Sequence, residues 1–304
     1  MRIGIYRGDL LFGPIDALVE AAAEAVDAGF ASMWLAQAHG IDAMTAIAVV
    51  GREVPGIELA TAVVPTYPRH PIVMAQQALT TQAITGGRFV LGIGLSHAPL
   101  IESSYGYSFE RPARHMQEYL EALLPLVRDG SVDHQGETFT ARSALDVRGA
   151  SPVQVVLAAM GPKMLELAGG MADGTVTFMT GPKTLATHVV PSIRAAADRA
   201  GRPAPMIAAA MSVTVTDDVA DARTRVERRY TTVAALPSYR TMLEREGNSS
   251  PADIALIGNE DAVRDQIRSL DEIGITDLVV TANGTEGEVR RTLDLVSTVA
   301  REEQ

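Results

Sequence analysis

Proton chemistry in this chain falls first to histidine. His39, His70 and His97 each stand close behind an apolar run, and imidazole titrates near neutrality, so each is able to give or take a proton. Each is equally able to serve as a structural hydrogen-bonder, and spacing alone does not choose. His39 and His97 are the candidate acids. No metal motif joins them, because carboxylates at ligand spacing are lacking and HEXXH does not occur.

A second constellation is suited to binding. Lys163 and Lys183 are the only lysines, and both sit in the tripeptide Gly-Pro-Lys. Gly161, Pro162 and Lys163 follow an apolar run and open a helical pattern. A helix start offers free N–H groups and a positive dipole end, and the lysine adds a cation, so an anion such as phosphate would bind there. The Walker spacing is missing, so this is not a P-loop. The plainer alternative is helix-start punctuation beside a solvated lysine.

The third stretch is GGRFVLGIGLSH, residues 86–97. Its apolar run reads as a strand buried on both faces. Gly92 and Gly94 strip side chains from the end of that run, which lets a flat ligand approach or lets the strand bulge. Ser96 and His97 follow as the first polar groups. The third glycine of a dinucleotide fingerprint is absent, its place being held by His97, and the sequence after it, APLIESSYGYSFERP, does not begin as a helix.

These residues need strands to position them. Apolar runs at 2–6, 32–35, 58–64, 89–93, 153–158, 175–179, 206–215 and 277–281 alternate with helical patterns, the cadence of a parallel βα array. Two insertions break it, at about 98–150 and 216–258. The first carries an irregular segment, a helix at 112–127 and a hairpin with turns at Asp129-Gly130 and Gln135-Gly136; the second is a long helical stretch and a polar loop. Eight strands read most simply as a single (β/α)₈ TIM barrel over 1–304, with a doubly wound open sheet as the rival. In a barrel, chemistry sits at the carboxyl ends of the strands. Gln37, His39, Thr66, Tyr67, Arg69, His70, Ser96, His97, Gly161, Lys163, Thr180 and Lys183 all fall there. Neutral hydrogen-bonders and cations predominate, which suits an anionic ligand with a polar ring system.

Composition narrows the classes. The 304 residues are 47% hydrophobic and 21% charged, ordinary globular values. A net charge of -11 with no basic patch argues against nucleic acid as a partner. Cysteine is absent, no signal core opens the chain and no apolar run is long enough for a membrane span, so a soluble cytoplasmic protein is expected.

With these pieces in place the chain resembles the bacterial luciferase-like superfamily, and within it the oxidoreductases that use the deazaflavin coenzyme F420. The matching segments are MWLAQAHGIDAMTA, ELATAVVPTYPRHPIVMAQQALTT, GGRFVLGIGLSH, RPARHMQEYLEALLPL with VDHQGETF, and VVLAAMGPKMLELAGGMADG. The resemblance implies an insertion barrel with the deazaflavin across the carboxyl ends of the strands. Its phosphate tail would lie near Ala159, Met160, Gly161 and Lys163, and its ring near Gln37, Ala62, Val63, Gly94 and Ser96. Family members often carry a non-proline cis peptide behind the ring, and the matching bond is Ala62 to Val63. The family's sugar-phosphate dehydrogenases carry an acidic residue and an Asp-His pair where this chain has His97 and Ala36-Gln37, which speaks against a sugar phosphate.

The expected function is therefore hydride transfer between F420 and a small organic substrate, with His39 or His97 as proton donor. The alternatives are an FMN-dependent luciferase-like monooxygenase and a non-catalytic flavin- or deazaflavin-binding protein. The resemblance also implies a homodimer built on helices near the second and third strands.

Overall fold

The computed structural model describes residues 1–247 and 250–302. Eight parallel strands close on themselves: β1 (Arg2–Tyr6), β2 (Ser32–Leu35), β3 (Glu58–Thr61), β4 (Phe89–Gly94), β5 (Gln154–Leu157), β6 (Gly174–Phe178), β7 (Met206–Val215) and β8 (Asp277–Ala282). Each pairs with the next, and β8 pairs with β1, from Arg2↔Asp277 to Ile5↔Val280. Closure decides for the barrel over the open sheet.

The strands read as continuous apolar runs because both of their faces are buried. Trp34, Val90, Val156, Met206 and Val279 fill the barrel interior, and a larger layer that includes Met33, Leu59, Leu91 and Leu278 meets the surrounding helices. Trp34 brings a polar N–H into that interior and satisfies it by donating to Ser32 Oγ at 2.8 Å.

Three local expectations are corrected, and one, the cis Ala62–Val63 peptide, is met. The third strand is not continuous: β3 ends at Thr61, the Ala62–Val63 peptide is cis, and pairing with β4 resumes at Val64–Pro65. Residues Ala98–Tyr105 do form a helix, because His97 is extended before it, proline stands in its first turn and Gly106 ends it at φ +71°. The hairpin pairs Ser131–Gln135 with Thr140–Ala144 and turns once; Asp129 instead ends the helix Pro112–Asp129, and Gly130 caps it at φ +80°.

The second insertion is helix Val219–Ala234, helix Pro237–Glu246, a 3₁₀ turn Pro251–Ile254 and an unanticipated strand, Leu256–Gly258, that pairs with the end of β7. Residues 248 and 249 of its polar loop lie outside the described residues. Among the described residues no helix is long and apolar enough to cross a membrane, and no His/Cys/Asp/Glu cluster is able to hold a metal.

Candidate active site

The carboxyl ends of the strands surround a cavity of about 130 Å³ whose lining includes Ala62, Val63, Ala158, Met160, Tyr6 and Tyr239. Complete small-molecule sites enclose ~300–1,000 Å³, so this cavity is smaller than a whole ligand site.

The glycines of β4 shape that cavity indirectly. A Cβ on Gly92 would lie 1.8 Å from the Thr61 carbonyl oxygen, and one on Gly94 would lie 2.7 Å from Val63 Cγ2. Thr61 Oγ1 donates to the Gly92 carbonyl and accepts from the Gly92 N–H, each at 2.8 Å. Both glycines therefore admit the bulge of the neighbouring strand, and Val63 and Ala158 present the surface that the glycines were expected to provide. Gly94 lies behind Val63. Ser96 turns the chain at φ +61° and is half-buried.

The structure separates the candidate acids. His97 is half-buried and meets Tyr239, a wall residue, edge to face with ring centroids 5.3 Å apart. Burial pushes its pKa below the usual histidine value, so at neutral pH it carries one ring proton. His39 is exposed. Gln37 is tied to the scaffold at two points: its Oε1 accepts the Ala43 N–H at 2.8 Å, and its backbone N–H donates to the Val63 carbonyl at 3.4 Å. His70 is a cap, its Nδ1 accepting the Ile72 N–H at 3.3 Å.

Several residues of this region had no motif to mark them. His115 is buried, 3.0 Å from Thr66 Oγ1 through Nε2, and stacked on Tyr67 at 3.9 Å. Burial pushes its pKa down to about 4. Tyr6 and Tyr239 line the cavity with phenols that burial raises to about 12. A lone tyrosine ending an apolar run and another within a charged helix carry no pattern. Only the fold places them together.

The two Gly-Pro-Lys turns have different fates. Helix Pro162–Gly170 starts at an extended Gly161, no side chain caps it, and Lys163 is exposed. Just before it, the Ala159 N–H donates to Thr175 Oγ1 at 3.3 Å and the Met160 carbonyl lies 2.8 Å from His188 Nε2. Those bonds fix the approach to the turn while leaving its start open beside Met160, a cavity residue. At the second turn the Glu246 carboxylate is already seated. It accepts the N–H groups of Lys183 at 3.0 Å and Thr184 at 2.7 Å, and Lys183 Nζ donates to the Glu246 carbonyl at 3.2 Å. This pair shows the same tripeptide binding a carboxylate within the molecule.

Comparison with known proteins agrees with this architecture. A putative coenzyme F420-dependent oxidoreductase of Mycobacterium tuberculosis is 28% identical over 339 aligned positions, covering 94% of this chain and 96% of the relative. An F420-dependent secondary alcohol dehydrogenase, solved with an F420–acetone adduct, superposes with a TM-score of 0.81 at 19% identity, covering 100% of this chain and 99% of that one. The FMN-bound oxygenating component of 3,6-diketocamphane monooxygenase from Pseudomonas putida gives 0.75 at 20% identity, covering 98% and 96%. The model of the luciferase-like monooxygenase family matches residues 6–277, and the chain belongs to that family.

Proposed function

We propose that this protein, read as one domain over 1–304, is an oxidoreductase that moves a hydride between coenzyme F420 and a small organic substrate. The observation that carries the reading is that Met160, which lines the mouth cavity, immediately precedes the uncapped start of helix Pro162–Gly170. Amides and Lys163 at that start suit the cofactor's phosphate, and the uncharged face of Ala62, Val63 and Ala158 suits its ring. The bound cofactor supplies the hydride-carrying carbon. The chain's own groups do the rest. Val63 and Ala158 keep water from the ring face, Tyr6 and Tyr239 offer hydroxyl donors to the substrate, and His97 holds a proton on its imidazole beside them.

Titration of the purified protein with F420 and, separately, FMN tests the reading. F420 is expected to bind, and Lys163→Ala to weaken it about 3- to 10-fold. Tight FMN binding with oxygen consumption would instead support a monooxygenase, a reading favoured by the FMN-bound neighbour of the same fold. A carrier would bind F420 yet show no single-turnover hydride exchange with any acceptor.

The same reading extends to a homodimer. Helices Ala43–Glu53 and Pro71–Ile84 carry exposed Val49, Val73 and Ile84, apolar surface that a second copy would cover.

A further inference from the structure

We propose that the site takes an uncharged substrate and that Tyr239, held in place by Glu246, positions it. This rests on the oxidoreductase reading of the same cavity and adds to it the class of molecule admitted.

None of the described residues lining the cavity carries a charge, and its polar groups are hydroxyls, those of Tyr6, Thr177, Tyr239 and Thr281. The cations nearby are already engaged or lie outside. Lys183 is held by the backbone of Glu246. Arg7 pairs with Asp9 at 3.0 Å, Arg69 pairs with Asp42, and Arg229, exposed over the Tyr230 ring, acts on the cavity residue Tyr6 only from the surface. Lys163 lies at the open turn assigned to the cofactor. An anionic substrate entering the cavity would lose its hydration without a counter-charge, whereas a neutral carbonyl or alcohol needs only hydrogen bonds.

Tyr239 is placed to supply one. Its ring meets His97 at 5.3 Å and Phe178 at 5.7 Å, both edge to face. At neutral pH the phenol is protonated, as any tyrosine is, and burial raises it further, to about 12. The helix that carries it, Pro237–Glu246, buries Met242 and Leu243, and its last residue puts a carboxylate onto the Lys183 and Thr184 amides. Gly181 leaves room for this seat, since a Cβ there would lie 2.4 Å from Glu246 Cδ and the carboxylate would have to shift. Glu246 is thus a positioning residue for Tyr239.

The test compares benzaldehyde with 4-carboxybenzaldehyde, which differ by one carboxylate, by calorimetric titration of the F420-loaded protein and of the cofactor-free protein. Benzaldehyde is expected to bind at least ~10-fold more tightly. Tyr239→Phe, which keeps the ring, should weaken it about 3- to 10-fold while leaving the dissociation constant of F420 unchanged. Glu246→Gln should do the same to a smaller degree and speed amide exchange across 237–246. Equal or tighter binding of the carboxylated probe, binding of neither probe, or an unaltered affinity in Tyr239→Phe would overturn the proposal. Failure of F420 to bind would instead remove the cofactor reading, with charge selection still read from the cofactor-free titration.

Discussion

His97 and His39 look alike in sequence and differ in surroundings. His97 touches the cavity wall through Tyr239, whereas His39 is exposed. Because His97 is neutral at pH 7, it would serve as a hydrogen-bond donor to the substrate, and His97→Ala is expected to slow hydride transfer by ~10-fold, with little change in F420 affinity; His39→Ala should leave both nearly intact. Unchanged turnover in His97→Ala would remove that side chain from the chemistry. His115 governs stability instead. Its pKa falls to about 4 in the folded state because burial opposes the charged ring, while the unfolded chain titrates near 6.5. The unfolded state then binds more protons between these values, so stability is full above about pH 6.5 and declines as pH falls toward 4, by on the order of 2–3 kcal/mol. Denaturant unfolding of wild type and His115→Gln across that window checks it, the variant losing most of the slope. At this scale the sequence marks which residues can titrate but not which are buried, because burial is decided by strands and insertions far apart in the chain.

Elements were legible wherever a periodic pattern was long. All eight barrel strands stand close to the apolar runs that announce them. Shorter features answer to tertiary partners: Leu256–Gly258 is three residues held by the edge of β7, and Ala98–Tyr105 needs its caps more than its composition. Gly92 and Gly94 were visible as a pair, but their reason lies on the adjacent strand. Gly94→Ala is expected to destabilise the fold by about 1–3 kcal/mol, since its methyl would overlap Val63 and Ala158, and to weaken F420 binding by pushing Val63 into the cavity. Gly161→Ala is the contrasting case. Nothing lies within 4 Å of a Cβ there, so its melting temperature should match wild type while F420 affinity falls if the phosphate approaches that turn closely. Thermal melts and cofactor titrations of the two variants separate a backbone-packing glycine from a ligand-facing one.

The whole molecule combines a net charge of -11 with apolar residues exposed on two neighbouring helices. If a second copy covers Val49, Val73 and Ile84, Val73→Glu should yield a monomer by light scattering with the barrel's circular dichroism intact; a wild type that is already monomeric would dismiss the dimer. Fold class was legible at this scale because eight alternations leave few topologies. The closing insertion was not, for its residues have no motif and take their meaning from what they cover. Yet its two ends are tied side by side. Val213 pairs with Leu256, Val215 with Gly258, and the Thr216 N–H donates to the Gly258 carbonyl at 2.8 Å. The stretch between them leaves the barrel and returns to the same strand edge, so its length is free to vary at small entropic cost. A different sequence spliced between positions 216 and 255 is expected to re-roof the mouth while the strand closure and the Gly161–Lys163 turn stay as they are.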